Sequence, residues 1–400
     1  MYIYYLLFGL IVVLLLFGDV RSRHSPYLSP EKAALFEYDK WPRWRTVEPA
    51  ESRYRILCIN PDYVPFVNAG SEICTHVINT HLMKKPYKWD VFVATSGYPK
   101  VTYEGVRCFD LYDTQTFLEV VNTCDAIFSH SAFHLPVYQY ISKKTGIPIV
   151  GWAHTNMYIQ RAENMGAWHR SKHTPQQFTA FNSKSLMKSC KTLPPNSKVF
   201  IPIVDYRDYV IEEKIKEPKY VVLSNVNPNK GGALLIQLAR AMPDIEFLGV
   251  LGGYGAQVTD DTLPNLRYIP HTNRIKDIYK QAWVVIMPSE QETWGRTAVE
   301  AMSSGIPVIA NPTPGLRECC GKAAIYVSRD DLIAWIGALR RLKEDRKYFN
   351  TRAKLSLERS RALDPKPVAS QIEDWLEHDV IPARCDGRSL TAAEKNILFR

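Results

Sequence analysis

From about residue 54 onward, short apolar runs alternate with segments whose apolar side chains recur every three or four positions. This is the pattern of parallel β-strands joined by crossover helices. The runs Arg55–Asn60, Trp89–Ser96, Cys124–His130, Ile147–His154, Gln177–Asn182 and Lys198–Val204 predict six strands. A second six follow at Tyr220–Asn225, Ile245–Leu251, Leu266–Pro270, Trp283–Pro288, Ile306–Ala310 and Ala324–Val327. Between the sets, Asp205–Pro218 is polar, rich in Glu and Lys, and without apolar periodicity, which marks a boundary. The expected fold class is α/β: two doubly wound, Rossmann-like domains facing across a cleft, with ligands at the carboxyl ends of the strands.

The ends of the chain read differently. The first eighteen residues carry no charged side chain, which is barely enough to span a bilayer and too much for an ordinary signal-peptide core. Arg21 and Arg23 follow it and no basic residue precedes it, so the charge bias predicts a single-pass transmembrane helix with the catalytic body on the cytoplasmic side. A cleaved signal peptide is the rival reading, set back by the missing basic start and the poor cleavage site at Leu16-Phe17-Gly18. From Pro365, the stripe Val368, Ile372, Trp375, Leu376 predicts an amphipathic helix that must cover a surface. The expected organisation is an anchor and flank at 1–24, domains at 25–205 and 206–364, and a helical tail at 365–400 packing back on the body.

Composition narrows the function. With 46% apolar and 23% charged residues over 400 positions the chain is globular, long enough for two cores. The net charge of +9 suits an anionic partner. Much of the excess lies in residues 340–361, where nine Lys or Arg face Glu344, Asp345 and Glu358. That run reads as a solvated helical face, with a membrane-facing patch as the alternative. No nucleic-acid-reading motif occurs, so nucleic acid is not an expected partner. The eight cysteines are scattered without a CxxC pair, against a disulfide framework or a cysteine-rich zinc site.

The densest candidate chemistry lies at Pro288–Gly295, between a strand and the helical segment Arg296–Ser304. Glu292 sits in the turn, Gly295 lets backbone approach a ligand, and Glu300 follows on the helix. Free N–H groups at a helix start bind phosphate or hydroxyl oxygens, and a carboxylate can accept from both vicinal hydroxyls of a ribose. Isolated from that context, two acids eight residues apart would be ordinary surface residues.

With its flanks, the run S289-x-x-E292-x-x-G295-x-x-x-x-E300-A301-M302-x-x-G305-x-P307-V308 resembles the E-x7-E signature of the retaining glycosyltransferases of family four, which have the two-domain GT-B fold. Ile56–Asn60 with Ala69-Gly70-Ser71-Glu72 is similar to that family's opening strand and Gly-rich loop. Pro228-Asn229-Lys230-Gly231-Gly232 is similar to its Lys-Gly turn, and Ile201–Asp205 to its crossover between domains. The resemblance implies that Glu300 binds the ribose of a nucleoside diphosphate sugar, either a UDP- or a GDP-sugar. Glu292 and the amides of Thr293, Trp294 and Gly295 hold the transferred sugar, and Lys230 neutralises the pyrophosphate. Gly70 and Ser71 lie at the start of a helix, where Ser71 can cap and Gly70 can approach the phosphates. His154 would contact the sugar near the reacting carbon, which makes Glu292, Lys230 and His154 the expected catalytic residues. Asp125, His130 and His134 receive no role.

One departure stands out. Asn225 occupies the place of a family Arg that clamps the pyrophosphate; Asn donates a hydrogen bond without charge, and Arg296 is the candidate replacement cation. No Asp-x-Asp occurs, so no metal or other cofactor is expected. The glycines at 249–255 lack the order and following helix of a dinucleotide loop. The expected function is retaining transfer of a sugar from a nucleoside diphosphate sugar to a hydroxyl of a glycan or glycoprotein acceptor. The rivals are a sugar-nucleotide epimerase or phosphorylase of the same fold, and a weakly catalytic partner subunit.

Overall fold

The computed structural model describes residues 41–44, 54–60, 62–67, 69–130, 135–164, 177–194, 196–212, 217–253 and 255–398. The apolar segment 1–18 and His134 lie outside them. Among the described residues, no helix is long and apolar enough to cross a membrane. The chain forms two compact units. The first takes the residues up to Ala180, Thr192–Lys198 and the chain from Gln371; the second takes Phe181–Lys191 and Val199–Ser370. The chain therefore passes between units more often than a single linker at 205–218 implies.

Among the described residues the first unit has eight strands, two more than the apolar pattern predicts: β1 (Tyr54–Ile59), β2 (Trp89–Thr95), β3 (Val101–Tyr103), β4 (Val106–Asp110), β5 (Ala126–Ser129), β6 (Ile149–Ala153), β7 (Gln177–Phe181) and β8 (Ser197–Val199). Their order is β3-β4-β2-β1-β5-β6-β7-β8, so the winding reverses between β1 and β5. The unforeseen pair is β3 with β4, an antiparallel hairpin. Its turn residues Glu104 and Gly105 both take positive φ (47° and 84°), the conformation a tight two-residue hairpin requires. Glu at the first position hides that signal, which is usually carried by Asn or Asp. Around the sheet lie α1 (Gly70–Met83), α2 (Thr114–Val121), α3 (Leu135–Thr145) and α4 (Asn156–Asn164).

Among its described residues the second unit contains α5 (Lys184–Lys188) and six strands: β9 (Tyr220–Ser224), β10 (Glu246–Val250), β11 (Leu266–Ile269), β12 (Ala282–Met287), β13 (Val308–Ala310) and β14 (Ile325–Tyr326). The order β11-β10-β9-β12-β13-β14 reverses between β9 and β12, and every pairing is parallel. Buried clusters cover the sheet. One gathers Val222, Val285, Trp294, Ala298 and Met302, the other Val221, Leu235, Phe247, Ile286 and Trp335. Strands covered on both faces explain why they read as unbroken apolar runs. The helices are α6 (Gly232–Ala241), α7 (Ile275–Tyr279), α8 (Arg296–Ser303), α9 (Pro314–Cys320), α10 (Leu332–Glu344) and α11 (Arg346–Ala362).

Part of the basic stretch 340–361 is consumed internally. Arg340 grips Asp244 with both terminal nitrogens (2.5 and 2.6 Å), and Lys343 reaches the same carboxylate. Arg359 donates to the carbonyls of Cys319 and Glu318 in the last turn of α9, at 2.7 and 2.8 Å, where a cation also meets the negative end of the helix dipole. Arg352 donates to the carbonyls of Lys322 and Ala323, just beyond that helix.

The tail returns to the first unit. After α12 (Pro365–Trp375), the chain crosses its surface to end in α13 (Ala392–Leu398). The predicted stripe is buried at Ile372, Trp375 and Leu376, with Trp375 edge-on to Phe178. Glu373 accepts hydrogen bonds from Lys85, Lys88 and the Trp89 indole.

Candidate active site

In the second unit the loops leaving β9 and β12 flank the point where strand order reverses, where an open parallel sheet leaves a crevice. The β9 loop runs Asn225–Gly231. Asn227 closes its single turn by accepting the Lys230 N–H on its side-chain oxygen at 2.9 Å. Gly231 then takes φ 98° and opens α6; a Cβ there would lie 2.4 Å from the Pro288 ring. Only glycine lets the two loops come this close. Their backbones join where Glu290 N–H donates to the Asn229 carbonyl at 2.8 Å. Arg329, about a hundred residues further along, donates to the carbonyls of Pro228 and Asn229 at 2.7 and 2.9 Å.

This arrangement brings Lys230 and Glu292 together as an ion pair, and Ser289 Oγ donates to the same carboxylate oxygen at 3.1 Å. Thr293 is held through its hydroxyl by Asn182, and Trp294 is buried with its indole N–H unpartnered among the described residues. Gly295 starts α8 at φ 110°, where a Cβ would meet Leu316 at 2.6 Å. The Glu292–Thr293 backbone is pressed against α9 at Gly315, whose Cβ position lies 2.2 Å from the Glu292 carbonyl oxygen.

Glu300 sits one turn into α8, buried, in a polar cluster of its own. It accepts from Arg296 Nε at 2.8 Å, Tyr209 at 3.2 Å and Tyr279 at 3.3 Å. Burial, and then the Glu300 charge, push both phenols above their ordinary range, so they stay protonated donors. Arg296 also donates to the Ile203 carbonyl and to Tyr209. The guanidinium considered as a substitute clamp is thus engaged with Glu300 and its surroundings.

Asn225 adopts a left-handed backbone (φ 74°), which Asn tolerates better than most residues. Its side-chain oxygen accepts the Asn227 N–H at 3.1 Å, and a Cβ on Gly252 would approach that oxygen to 2.5 Å. Position 225 therefore shapes the Lys230 loop, a local reason for Asn here.

In the first unit, Gly70 and Ser71 begin α1 beyond the carboxyl end of β1. The helix cap is Ala69, without a side-chain bond, so Ser71 does not cap; its hydroxyl donates instead to Glu72 at 2.8 Å. Burial pushes the Glu72 carboxyl up to about 7 despite that bond. An acid in the first turn is an ordinary helix-start signal, which is why the pattern did not single it out. His154 follows β6, and its Nε2 lies 2.8 Å from Nδ1 of His130, which follows β5. Asp125 accepts the Arg55 backbone N–H and a bond from Arg384, both structural.

The fold and these loops define a two-domain α/β chain of GT-B-like architecture. Residues 208–358 match the family described as glycosyl transferases group 1. An O-antigen chain mannosyltransferase, RfbU, of Salmonella typhimurium is 33% identical over 18% of this chain and 20% of its own length. A D-inositol 3-phosphate glycosyltransferase of Mycolicibacterium vanbaalenii is 29% identical over 29% of this chain and 31% of its own. The chain thus spans less than half the length of either curated relative. Among solved structures, HepE of Anabaena in complex with UDP-glucose superposes with a TM-score of 0.67 at 18% identity, over 81% of this chain and 99% of that one. Sucrose-phosphate synthase from Thermosynechococcus elongatus gives 0.65 at 17%, over 81% and 98%. At such identities the structures speak for the fold alone.

Proposed function

We propose that the protein transfers a sugar from a nucleoside diphosphate sugar to a hydroxyl of a glycan acceptor, with retention of configuration. The observation that carries this reading is the pairing of Lys230 with Glu292 on two loops that meet at the reversal point of the second sheet. The family match supports it, as does the UDP-glucose held by HepE.

The donor's diphosphate competes with Glu292 for the Lys230 ammonium, releasing the carboxylate to accept from the hydroxyls of the transferred sugar. The Thr293–Gly295 amides serve the same sugar, and Glu300 accepts from the ribose. As the bond from C1 to the β-phosphate oxygen breaks, charge accumulates on the diphosphate, and a fixed ammonium stabilises it. The acceptor oxygen attacks C1 on the face the diphosphate leaves, and its proton passes to the departing phosphate oxygen. The products are a nucleoside diphosphate and a glycoside of unchanged anomeric configuration. In the first unit, His154 is the candidate contact to the transferred sugar, and Gly70 that to the phosphates. Membrane attachment through residues 1–18, with a cytoplasmic body, rests on the sequence pattern and is tested by protease protection on membranes.

Calorimetry with UDP, GDP and their sugars on the wild type, Lys230→Ala and Glu300→Ala tests the donor site. Wild-type binding and transfer in both variants would remove the assignment. Conversion of donor without an acceptor would favour an epimerase.

A further inference from the structure

The ends of β5 and β6, on one side of the reversal point of the first sheet, place two imidazoles side by side. His130 follows β5 directly, and in the register Ser129 pairs with Gly151, bringing Trp152 and His154 alongside. The His130 and His154 rings lie 5.1 Å apart at 23°, and His130 is also near-parallel to Trp152 at 15°. Stacking alone would not require the nitrogens to align, yet His130 Nδ1 and His154 Nε2 are 2.8 Å apart. Such a bond needs one protonated and one bare nitrogen. Burial keeps both rings neutral, lowering His130 well below its usual value and His154 to about 4.

The direction of the bond follows from the other nitrogen of His130. Its Nε2 is buried and has no partner among the described residues. If His154 were the donor, that nitrogen would carry a buried N–H with nothing among the described residues to receive it. An unmet donor is rarer in proteins than an unmet acceptor. With His130 donating from Nδ1, its Nε2 is a bare acceptor, the lesser penalty. His154 then holds its proton on Nδ1.

We infer that His130 is a positioning residue: its Nδ1–H bond fixes His154 in orientation and as the Nδ1–H tautomer, so that His154 meets the donor as a hydrogen-bond donor. The inference deepens the glycosyl-transfer reading and rests on it for the role of His154. A free imidazole favours the opposite, Nε2–H form, so without His130 most His154 rings would carry the proton on the wrong nitrogen. A contact realised in the transition state would be lost while nucleotide binding in the second unit is untouched.

The test uses the full chain with His130→Phe, which keeps a ring in the stack and removes the donor, and His130→Asn, whose amide can replace Nδ1–H. Nitrogen-15 spectra of labelled histidine report the His154 tautomer independently of turnover. The expected result is the Nδ1–H form in the wild type and in His130→Asn, and its loss in His130→Phe. In parallel, kcat falls about ten- to a hundredfold in His130→Phe with donor KM nearly unchanged, and His130→Asn recovers most of it. An Nε2–H His154 in the wild type, or full kcat in His130→Phe while Lys230→Ala is inactive, overturns the inference. If Lys230→Ala also keeps full activity, the glycosyl-transfer site is at fault instead, and the spectra alone judge His130.

Discussion

Gly231 and Pro288 stand so close that a single added carbon on Gly231 would reach within 2.4 Å of the proline ring. Because Gly231 follows Lys230 and Pro288 opens the loop of Glu292, this contact sets how near the ammonium comes to the carboxylate. Gly231→Ala combines the clash with a left-handed backbone (φ 98°). It should cost about 1–3 kcal/mol of stability and most donor affinity, read by thermal melting and by calorimetry with UDP and GDP. Unchanged nucleotide binding would mean that the loop spacing is irrelevant to the site.

Arg329 acts on the same loop from a distance through the carbonyls of Pro228 and Asn229. Arg329→Ala should weaken donor binding about tenfold, the loss of about 1.4 kcal/mol of loop restraint, with a smaller change in kcat at saturation. Equal falls in kcat and kcat/KM would instead show that Arg329 contributes to the chemical step.

Glu72 offers a pH test. Burial raises its carboxyl from 4.5 to about 7. For a raised group, the stability associated with the proton is fully present below the unfolded value and lost as pH climbs through the folded value. Glu72→Gln cannot lose that proton. Its melting temperature relative to the wild type should therefore rise between pH 5 and pH 8, by the equivalent of at most about 3 kcal/mol. A difference independent of pH would refute the buried carboxyl.

Glu373 has the opposite sign. Burial alone would raise its carboxyl, but hydrogen bonds from Lys85, Trp89 and Lys88 outweigh it and bring the group down to about 2. That stabilisation is present above about pH 4.5 and fades as pH falls through 2. Glu373→Gln should cost about 1–3 kcal/mol at pH 7 and progressively less in acid, measured by denaturant unfolding. It should also loosen the chain end, visible as faster proteolysis beyond residue 370.

The chain has no Asp-x-Asp, and with Lys230 proposed to meet the charge that develops on the diphosphate, transfer should survive EDTA with less than about a twofold change in rate. Loss of activity restored by Mg²⁺ or Mn²⁺ would require another account of the diphosphate.

Much of this was legible along the chain. Strands buried on both faces must be apolar throughout, so β1, β2, β6, β9 and β12 announced themselves. The residues Lys230, Glu292 and Gly295 in loops and Glu300 on a helix were marked by the resemblance of their flanking motifs to a known family. The β3–β4 hairpin was hidden because its turn uses Glu104 rather than a common turn residue. Ser71 looked like a cap because hydroxyls usually are, whereas the helix begins one residue before it.

By itself, the order of residues determined the α/β class, the two sets of parallel strands and the loops bearing candidate chemistry, since these depend on periodicity and on neighbours within a few positions. Only the tertiary structure decided that Arg329 braces the Lys230 turn, that Arg296 serves Glu300, that His130 bonds His154, and that the tail from Gln371 belongs to the first unit. Those relationships join residues up to about 290 positions apart, as Glu373 and Lys85 show. Which distant polar groups meet is set by the packing of strands and helices between them, and no local pattern encodes it.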